Sequence, residues 1–131
     1  MQHTVSGGDT LIIPAPGTSF DSHLWIVLSD PTRDHFVLLV NLTSYRADKD
    51  DACILDVGDH PFIQHRSCVN YAKVKHIAVA QLEAILKMPA VERREPLSAE
   101  VLRRIREGAG KSKFIELGYW QMLVEQGLVS E

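Results

Sequence analysis

Apolar and polar residues follow two different patterns along the chain, one typical of strands and one typical of helices. The first half carries short apolar runs separated by turn-forming residues, such as Pro14–Gly17, Asp30–Asp34 and Gly58–Pro61. The runs 24–28 and 36–43 are almost entirely apolar and close in sequence, which predicts a β-hairpin covered on both faces. The five predicted strands cover residues 11–13, 24–28, 36–43, 53–57 and 67–77.

Helical periodicity replaces the short runs after residue 78. The last predicted helix is apolar on more than one face, so we expect it either to lie sandwiched within the fold or to form an oligomer contact. Between the first two helices, Ala90–Glu95 is predicted to be a hinge. The three predicted helices cover residues 79–88, 99–108 and 112–128, the second capped by Ser98 and the third by Ser112.

The acidic residues divide along the chain in the same way. Every Asp lies at or before Asp59, and every Glu lies at or after Glu83. Asp favours turns and caps, whereas Glu is a good helix former. The order predicts one α+β domain over residues 1–131, a small five- to six-stranded antiparallel barrel (about 8–77) followed by two to three helices (about 79–128).

The charge balance narrows the classes of partner. The chain has 14 Lys and Arg against 17 Asp and Glu, a formal net charge of −3. Residues 1–60 hold 3 basic and 9 acidic residues, whereas residues 61–131 hold 11 basic and 8 acidic residues. Domains that bind duplex DNA usually have a much larger basic excess, so the charge argues against that class and leaves RNA open.

The termini and the cysteines predict a cytoplasmic location. The segment Met1–Thr4 lacks a basic stretch followed by an apolar one, so we expect no secretory signal. No apolar run approaches the roughly 20 residues that span a bilayer, and we expect no membrane association. Cys53 and Cys68 are then expected as reduced, buried thiols, with a regulatory disulfide between them as the alternative.

Gly108–Ser112 superficially resembles a phosphate-binding loop. The pattern G-x-x-x-x-G-K-[ST] would need glycine at position 105, which is Ile105, and a preceding strand, whereas a helix is predicted there. We therefore expect a turn between two helices.

The polar stretch from Gly58 to Ser67 is the first candidate for chemistry. Histidine moves protons near neutral pH, and arginine grips a phosphate with two parallel hydrogen bonds. Three interpretations stay open: a plain surface loop, a phosphate or nucleotide contact, and a metal site. No second His/Cys cluster has the spacing of metal ligands, so we expect no metal and no cofactor. The candidate residues are Asp59, His60, His65, Arg66 and Ser67.

His23, Thr43 and Ser44 form a second candidate group. His23 precedes the apolar run of the second strand, and Thr43 and Ser44 end the third. The hairpin would let His23 face the other two across a cleft; ordinary strand-edge and turn residues are the alternative. The G-x-S-x-G and H-E-x-x-H motifs are absent.

Six segments share their order and spacing with one known family. They are Gly8-Asp9, Leu24–Leu28, Asn41–Ser44, Phe62–Val69, Lys75–Ile77 and Leu97–Leu102. Over most of residues 8–109 this order resembles the MazF/PemK toxins of bacterial toxin–antitoxin pairs. The segment Asn41–Ser44 stands where that family has P-[IV]-T-S, and the predicted helix 112–128 lies outside the resemblance.

The resemblance implies an SH3-like barrel with appended helices, acting as a metal-independent endoribonuclease on single-stranded RNA. It also implies a homodimer that an antitoxin protein silences by occupying its groove. His23 or His65 would serve as general acid and base, Arg66 would stabilise phosphate charge, and Thr43 and Ser44 would position the phosphate. Further substrate-binding residues would be His60, Ser67, Asn70 and Lys73.

The chain also departs from that family. The family's Arg before its Pro falls at His23, and an Arg and an acidic residue of some members fall near Asn70 and Ala72. Only Thr43-Ser44 carry over directly. These departures favour an alternative function, a non-catalytic SH3-like binding module that uses the same groove for a protein or peptide partner. A metal-dependent enzyme acting through His60 and His65 is a third hypothesis.

Overall fold

The computed structural model describes residues 5–14 and 22–129. These residues form five strands, one helix, a sixth strand and two further helices, in that order. This arrangement confirms the predicted α+β class. The predicted turn at 14–17 lies almost wholly outside the described residues. The strands are β1 (Thr10–Pro14), β2 (Ser22–Val27), β3 (Phe36–Ser44), β4 (Ile54–Leu55), β5 (Ser67–Ala78) and β6 (Glu92–Arg94). The helices are α1 (Val79–Leu86), α2 (Ala99–Ala109) and α3 (Leu117–Glu125).

The six strands form one antiparallel sheet in the order β4-β5-β3-β2-β1-β6. The predicted hairpin is present as β2 and β3, with Trp25 paired to Asn41 and Val27 paired to Leu39. β3 also pairs with β5, with one irregularity between Leu39 and Asn41. The long apolar strand β3 therefore lies at the centre of the sheet, between β2 and β5.

The sheet curls into a half-barrel. The curl is evident from a contact between residues that lie next to its two edge strands, β4 and β6. β4 and β6 end the strand order, yet His60, in the loop after β4, places Nε2 2.7 Å from the carbonyl oxygen of Glu95, just after β6. The Thr10 hydroxyl donates to the same carbonyl at 2.7 Å. The loop between β4 and β5 is thus fixed against the opposite edge of the sheet.

Both faces of the sheet are covered where they are apolar, as the continuous apolar runs predict. We call inner the face that carries Leu24 and Val40; it packs against α2 and α3. We call outer the face that carries Val27 and Leu39; it packs against α1 through Val79 and Leu82. Alternation along each strand decides which side chain joins which core.

The last helix begins later than predicted. α3 begins at Leu117, so the predicted start after Ser112 is wrong. The Ser112 hydroxyl accepts from the Phe114 N–H at 3.0 Å and donates to Asp50 at 2.6 Å, which holds a local turn in competition with a helix. α3 buries Leu123 in the inner core and leaves Leu117 67% exposed.

Other boundaries also differ from the sequence prediction. The predicted hinge at 90–95 contains β6, which pairs with Thr10–Ile12 of β1. Three consecutive charged residues carry no apolar alternation, so the pattern gave no sign of this strand. α1 ends at Leu86 rather than at 88, and β4 has two residues rather than the five of 53–57.

Several local predictions are confirmed. The Ser98 hydroxyl accepts from the Val101 N–H at 3.2 Å and caps α2. The segment 108–112 forms the end of α2 and the turn after it. Both cysteines are buried and free; Cys53 belongs to the inner core, whereas Cys68 precedes the inward-facing Val69 and therefore faces outward.

Across residues 5–14 and 22–129, no helix is long and apolar enough to cross a membrane.

Candidate functional site

An open cleft with a volume of about 730 Å³ lies where β2 begins, β3 ends and β5 begins. These strand ends meet because β3 lies between β2 and β5 and runs antiparallel to both. The loop between β4 and β5 and one side chain of β6 complete the cleft. Its lining consists of His23, Leu42, Thr43, Ser44, Arg46, Pro61, Phe62, Ile63, Gln64, His65, Ser67 and Arg94.

The structure brings five of the nine predicted site residues together in this cleft. They come from separate parts of the sequence, so the sheet topology is what collects them. The other four do not line the cleft. The five that line the cleft are His23, Thr43, Ser44, His65 and Ser67.

Ser44 and His65 form a hydrogen-bonded pair in the cleft, with 2.7 Å between Oγ and Nε2. Ser44 pairs with Ser67 across β3 and β5, which places the preceding loop residue His65 beside it. The Ser67 hydroxyl donates to the His65 carbonyl at 3.0 Å and fixes the backbone there. A hydroxyl both donates and accepts, so Ser44 can hold the imidazole in either protonation state.

His23 has a defined orientation in the cleft. Its Nδ1 lies 3.2 Å from the carbonyl oxygen of Leu42. A carbonyl oxygen can only accept, so Nδ1 carries the proton of the neutral ring. Nε2 then keeps its lone pair and is the nitrogen that can accept a proton from a substrate.

Two arginines, Arg46 and Arg94, bring positive charge to the cleft. The Arg94 guanidinium carbon lies 5.8 Å from the centroid of the Phe62 ring, a cation–π contact. Arg94 also lies 3.5 Å from Glu92 and 3.9 Å from Glu95, neither of which lines the cleft. Among the described lining residues there is no Asp or Glu, so the cleft suits an anion such as a phosphodiester.

His60, predicted to contact the substrate, lies outside the cleft lining and is hydrogen-bonded within the protein. It is 3% exposed, and the Phe62 N–H donates to its Nδ1 at 3.0 Å. Nδ1 is therefore the acceptor, and Nε2–H donates to Glu95. Both ring nitrogens are used in holding the loop against the opposite sheet edge, so neither is left for a substrate.

Three other predicted site residues also lie outside the cleft lining. The Arg66 Nε donates to Asp56 at 3.1 Å, in an ion pair on the exposed surface. Asn70 lies on β5 opposite Asn41, on the outer face of the sheet. Lys73 is exposed farther along β5.

The sequence analysis missed Arg46, Gln64 and Arg94, which line the cleft. Arg46 follows Ser44 by two residues, so the reasoning that singled out the end of the third strand could have included it. Arg94 gave no local signal, because it reaches the cleft only through the pairing of β6 with β1 and the curl of the sheet.

Two buried groups outside the cleft lining, Tyr71 and Cys53, lie in the inner core. The Tyr71 hydroxyl donates to the Ile105 carbonyl at 2.5 Å and joins β5 to α2. Burial raises the pKa of the Tyr71 hydroxyl and raises the pKa of Cys53 to about 11. Both groups therefore stay neutral at physiological pH.

Arg104 precedes Ile105 in α2, and its contact with Asp59 links α2 to the loop after β4. Arg104 Nη1 donates to Asp59 at 3.0 Å, and Nη2 donates to the Ile54 carbonyl at 3.1 Å. Burial acts to raise the pKa of Asp59, but hydrogen bonds from Asp56 and Arg104 and the charge of Arg104 outweigh it and lower the pKa. We call Tyr71, Ile105, Arg104 and Asp59 the β5–α2 polar contact.

Taken together, the cleft offers two imidazoles, two guanidinium groups and three hydroxyls. Within the part of the chain that the structure describes, no group of three or more His, Cys, Asp and Glu residues could hold a metal ion. No family model matches the chain, and no curated protein matches it significantly.

Proposed function

We propose that this protein is a metal-independent endoribonuclease of the MazF/PemK type that cleaves single-stranded RNA in the cleft. The supporting observation is that His23, His65, Arg46 and Arg94 line one open cleft beside Ser44. Cleavage through the 2′-hydroxyl needs a base, an acid and positive charge around the phosphorane, and these side chains supply each. The curled antiparallel sheet and appended helices are compatible with an SH3-like barrel.

His23 acts as the base in this proposal and His65 as the acid. His23 Nε2 removes the proton of the 2′-hydroxyl, and the 2′-oxygen attacks phosphorus. Protonated His65 gives its proton to the 5′-oxygen as the P–O bond breaks. The products are a 2′,3′-cyclic phosphate and a 5′-hydroxyl, and exchange of one proton with water resets both histidines.

The remaining groups position the phosphate and stabilise its charge. Arg94 and Arg46 take the role first expected of Arg66, because they line the cleft and Arg66 does not. Ser44 is a positioning residue that holds the His65 ring through its 2.7 Å hydrogen bond. Thr43 lines the same wall and offers a hydroxyl to a phosphate oxygen.

The proposal extends to a homodimer and to an antitoxin protein, both of which the resemblance implies. A peptide that blocks the cleft should be acidic, because Arg46 and Arg94 are its charged lining residues. Expression of this protein should arrest the growth of the host cells, because it would cleave their RNA. Co-expression of a small acidic protein encoded immediately upstream should relieve that arrest.

The proposal is tested by incubating the purified protein with mixed-sequence single-stranded RNA in the presence of EDTA. We expect fragments with 2′,3′-cyclic phosphate and 5′-hydroxyl ends by mass spectrometry, and no cleavage of DNA of the same sequence. His23→Ala and His65→Ala should each slow cleavage by about 10²–10⁴-fold. The proposal would be refuted by RNA that stays intact with and without divalent metal. It would also be refuted by full activity in a variant that combines His23→Ala and His65→Ala.

A non-catalytic binding module is the second candidate function. The observation that favours it is the accessible apolar part of the lining, Pro61 and Phe62, which suits a peptide side chain. Intact RNA together with saturable binding of an acidic peptide, lost in Arg94→Ala and kept in the surface control Arg33→Ala, would support this function instead.

A further inference from the structure

The outer face of the sheet changes character along β3. Val37 and Leu39 are buried beneath α1 in the outer apolar core. Two residues farther toward the cleft, the outward-facing position is Asn41, and the next is Thr43, which lines the cleft. The outer face therefore has an apolar part under α1 and a polar part that leads into the cleft.

The polar part continues across three strands. Asn41 pairs with Trp25 of β2 on one side and with Asn70 of β5 on the other, so these side chains share a row on the outer face. His23 lies two residues from Trp25, and two residues along a strand span roughly 7 Å. The row Trp25, Asn41 and Asn70 thus borders the cleft directly.

Asn41 carries a polar atom that the fold leaves unsatisfied. The residue is 7% exposed, and its Oδ1 is the one buried side-chain oxygen or nitrogen without a hydrogen-bond partner among residues 5–14 and 22–129. Such orphaned acceptors are rare in native proteins, because each one costs stability. A leucine of similar size would leave no acceptor unsatisfied, so the position suggests a role outside folding.

Trp25 supplies a flat ring beside this acceptor. It is partly exposed, and the Lys75 ammonium lies 6.0 Å from the centroid of its ring. Lys75 is itself exposed and flexible enough to move from the ring. A nucleobase that stacks on Trp25 would take the place of the ammonium, which could then pair with a phosphate of the same strand.

We propose that Trp25, Asn41 and Asn70 form a base-binding subsite for the nucleotide next to the phosphate in the cleft. This inference rests on the proposed function. The ring stacks on the base, and rotation of the Asn41 side chain exposes its Oδ1, which is buried in the free protein, to accept from an exocyclic amino group. Adenine and cytosine present such an amino group beside a ring-nitrogen acceptor, which an amide matches with two hydrogen bonds, whereas uracil has no amino group.

The subsite is tested with short 2′-O-methyl oligonucleotides, which bind but cannot be cleaved through the blocked 2′-oxygen. We expect fluorescence anisotropy to show tighter binding of A and C homopolymers than of the U homopolymer. Trp25→Ala should weaken binding of the A and C strands roughly tenfold. The variant Trp120→Phe leaves Trp25 as the only tryptophan of the chain, and its fluorescence should then be quenched on binding.

Asn41→Leu separates a binding role from a structural one. Replacement of the unsatisfied amide should keep or raise the melting temperature, while the preference for A and C over U disappears. Arg33→Ala, on the exposed turn between β2 and β3, serves as the control with unchanged binding. Unchanged base preference in Asn41→Leu and unchanged affinity in Trp25→Ala would overturn the subsite, as would wild-type protein that binds no oligonucleotide.

The outcome is distinct from that of the proposed reaction. Cleavage whose base preference does not change in Trp25→Ala and Asn41→Leu would refute the subsite and leave the endoribonuclease standing. A base preference in binding, with RNA left intact, would refute the reaction and leave the subsite. His23→Ala with His65→Ala should abolish cleavage and keep the base preference in binding.

Discussion

The loop between β4 and β5 contributes His65 to the cleft and Asp59 to the β5–α2 polar contact, and both regions contain arginine and hydroxyl groups. In the polar contact, Tyr71 and Arg104 direct their hydrogen bonds to protein partners, the Ile105 and Ile54 carbonyls and Asp59. In the cleft, Arg46 is exposed, and its side chain makes no hydrogen bond or ion pair with the described part of the chain.

The comparison separates polar groups that hold the fold from polar groups that are available to a ligand. His60 and His65 show the difference within five residues of sequence. Burial makes an unpaired polar group costly, so the nitrogens of His60 are both satisfied internally. The His65 imidazole is exposed and bonds only to the side chain of Ser44 among the described residues, and water or a substrate can replace that partner.

The largest expected effects are on the cleavage rate and on the free energy of unfolding when Arg94 or Arg104 is replaced. Arg94→Ala should lower the rate of the proposed RNA cleavage by about a hundredfold, because it removes a positive charge from the cleft in which we propose that the phosphorane forms. The ion pairs of Arg94 are long, 3.5 and 3.9 Å, and reach exposed carboxylates, so the free energy of unfolding should change by less than about 1 kcal/mol. Denaturant titration and single-turnover kinetics of both variants check this.

Arg104→Ala should do the reverse. It removes the hydrogen bonds that Arg104 donates to Asp59 and to the Ile54 carbonyl, which should cost about 1–3 kcal/mol of folding free energy, while the folded fraction keeps its activity. If Arg94→Ala destabilises the protein more than Arg104→Ala does, the division between the two regions is wrong.

The next effect concerns two helical glycines. A Cβ at Gly108 would lie against the Tyr71 hydroxyl and 2.8 Å from the Cys53 Cβ, so Gly108→Ala should destabilise the fold by about 1–3 kcal/mol or more. A Cβ at Gly118 in α3 would meet nothing within 4 Å. Gly118→Ala should therefore stabilise by about 0.5–1 kcal/mol, and thermal melts of the pair should shift in opposite directions.

A smaller effect is expected when the hydroxyl of the polar contact alone is removed. Tyr71→Phe keeps the ring in the inner core and loses only the hydrogen bond to Ile105, so unfolding should become easier by about 1 kcal/mol. Chemical denaturation measures the change, and RNA cleavage by the folded protein serves as the control. A loss of activity at unchanged stability would contradict a structural role for Tyr71.

The smallest effect is a pH dependence. The pKa of Asp59 is lowered in the folded protein, so its carboxylate stabilises the fold above the ordinary pKa of Asp. This stabilisation is lost as the pH falls through the folded-state pKa. The difference in unfolding free energy between the wild type and Asp59→Asn should shrink on acidification, and parallel curves would contradict the assignment.

Much of the fold could be predicted from local pattern, and the misses have physical reasons. The runs that became β2, β3 and β5 were recognised because buried strands need continuous apolar residues. β6 was missed because its charged residues pair only through the backbone. The start of α3 was misplaced because the Ser112 hydroxyl also bonds to Asp50, 62 residues away.

The candidate site could be predicted in part. His23, Thr43 and Ser44 lie at the ends of a hairpin whose pairing follows from the sequence, and His65 lies in a loop next to β5. Arg94 could not be placed, since its position depends on a strand pairing 84 residues apart between Thr10 and Arg94.

The sequence by itself determined the residue types able to do chemistry and the class of every element except β6, because hydrophobic periodicity and side-chain chemistry are local properties. Only the tertiary structure decided which of those residues meet. The curl of the sheet buried His60 against Glu95 and brought Arg94 to the cleft, and the strand register set Asn41 beside Trp25. Burial and proximity arise from contacts between distant segments, which no local pattern specifies.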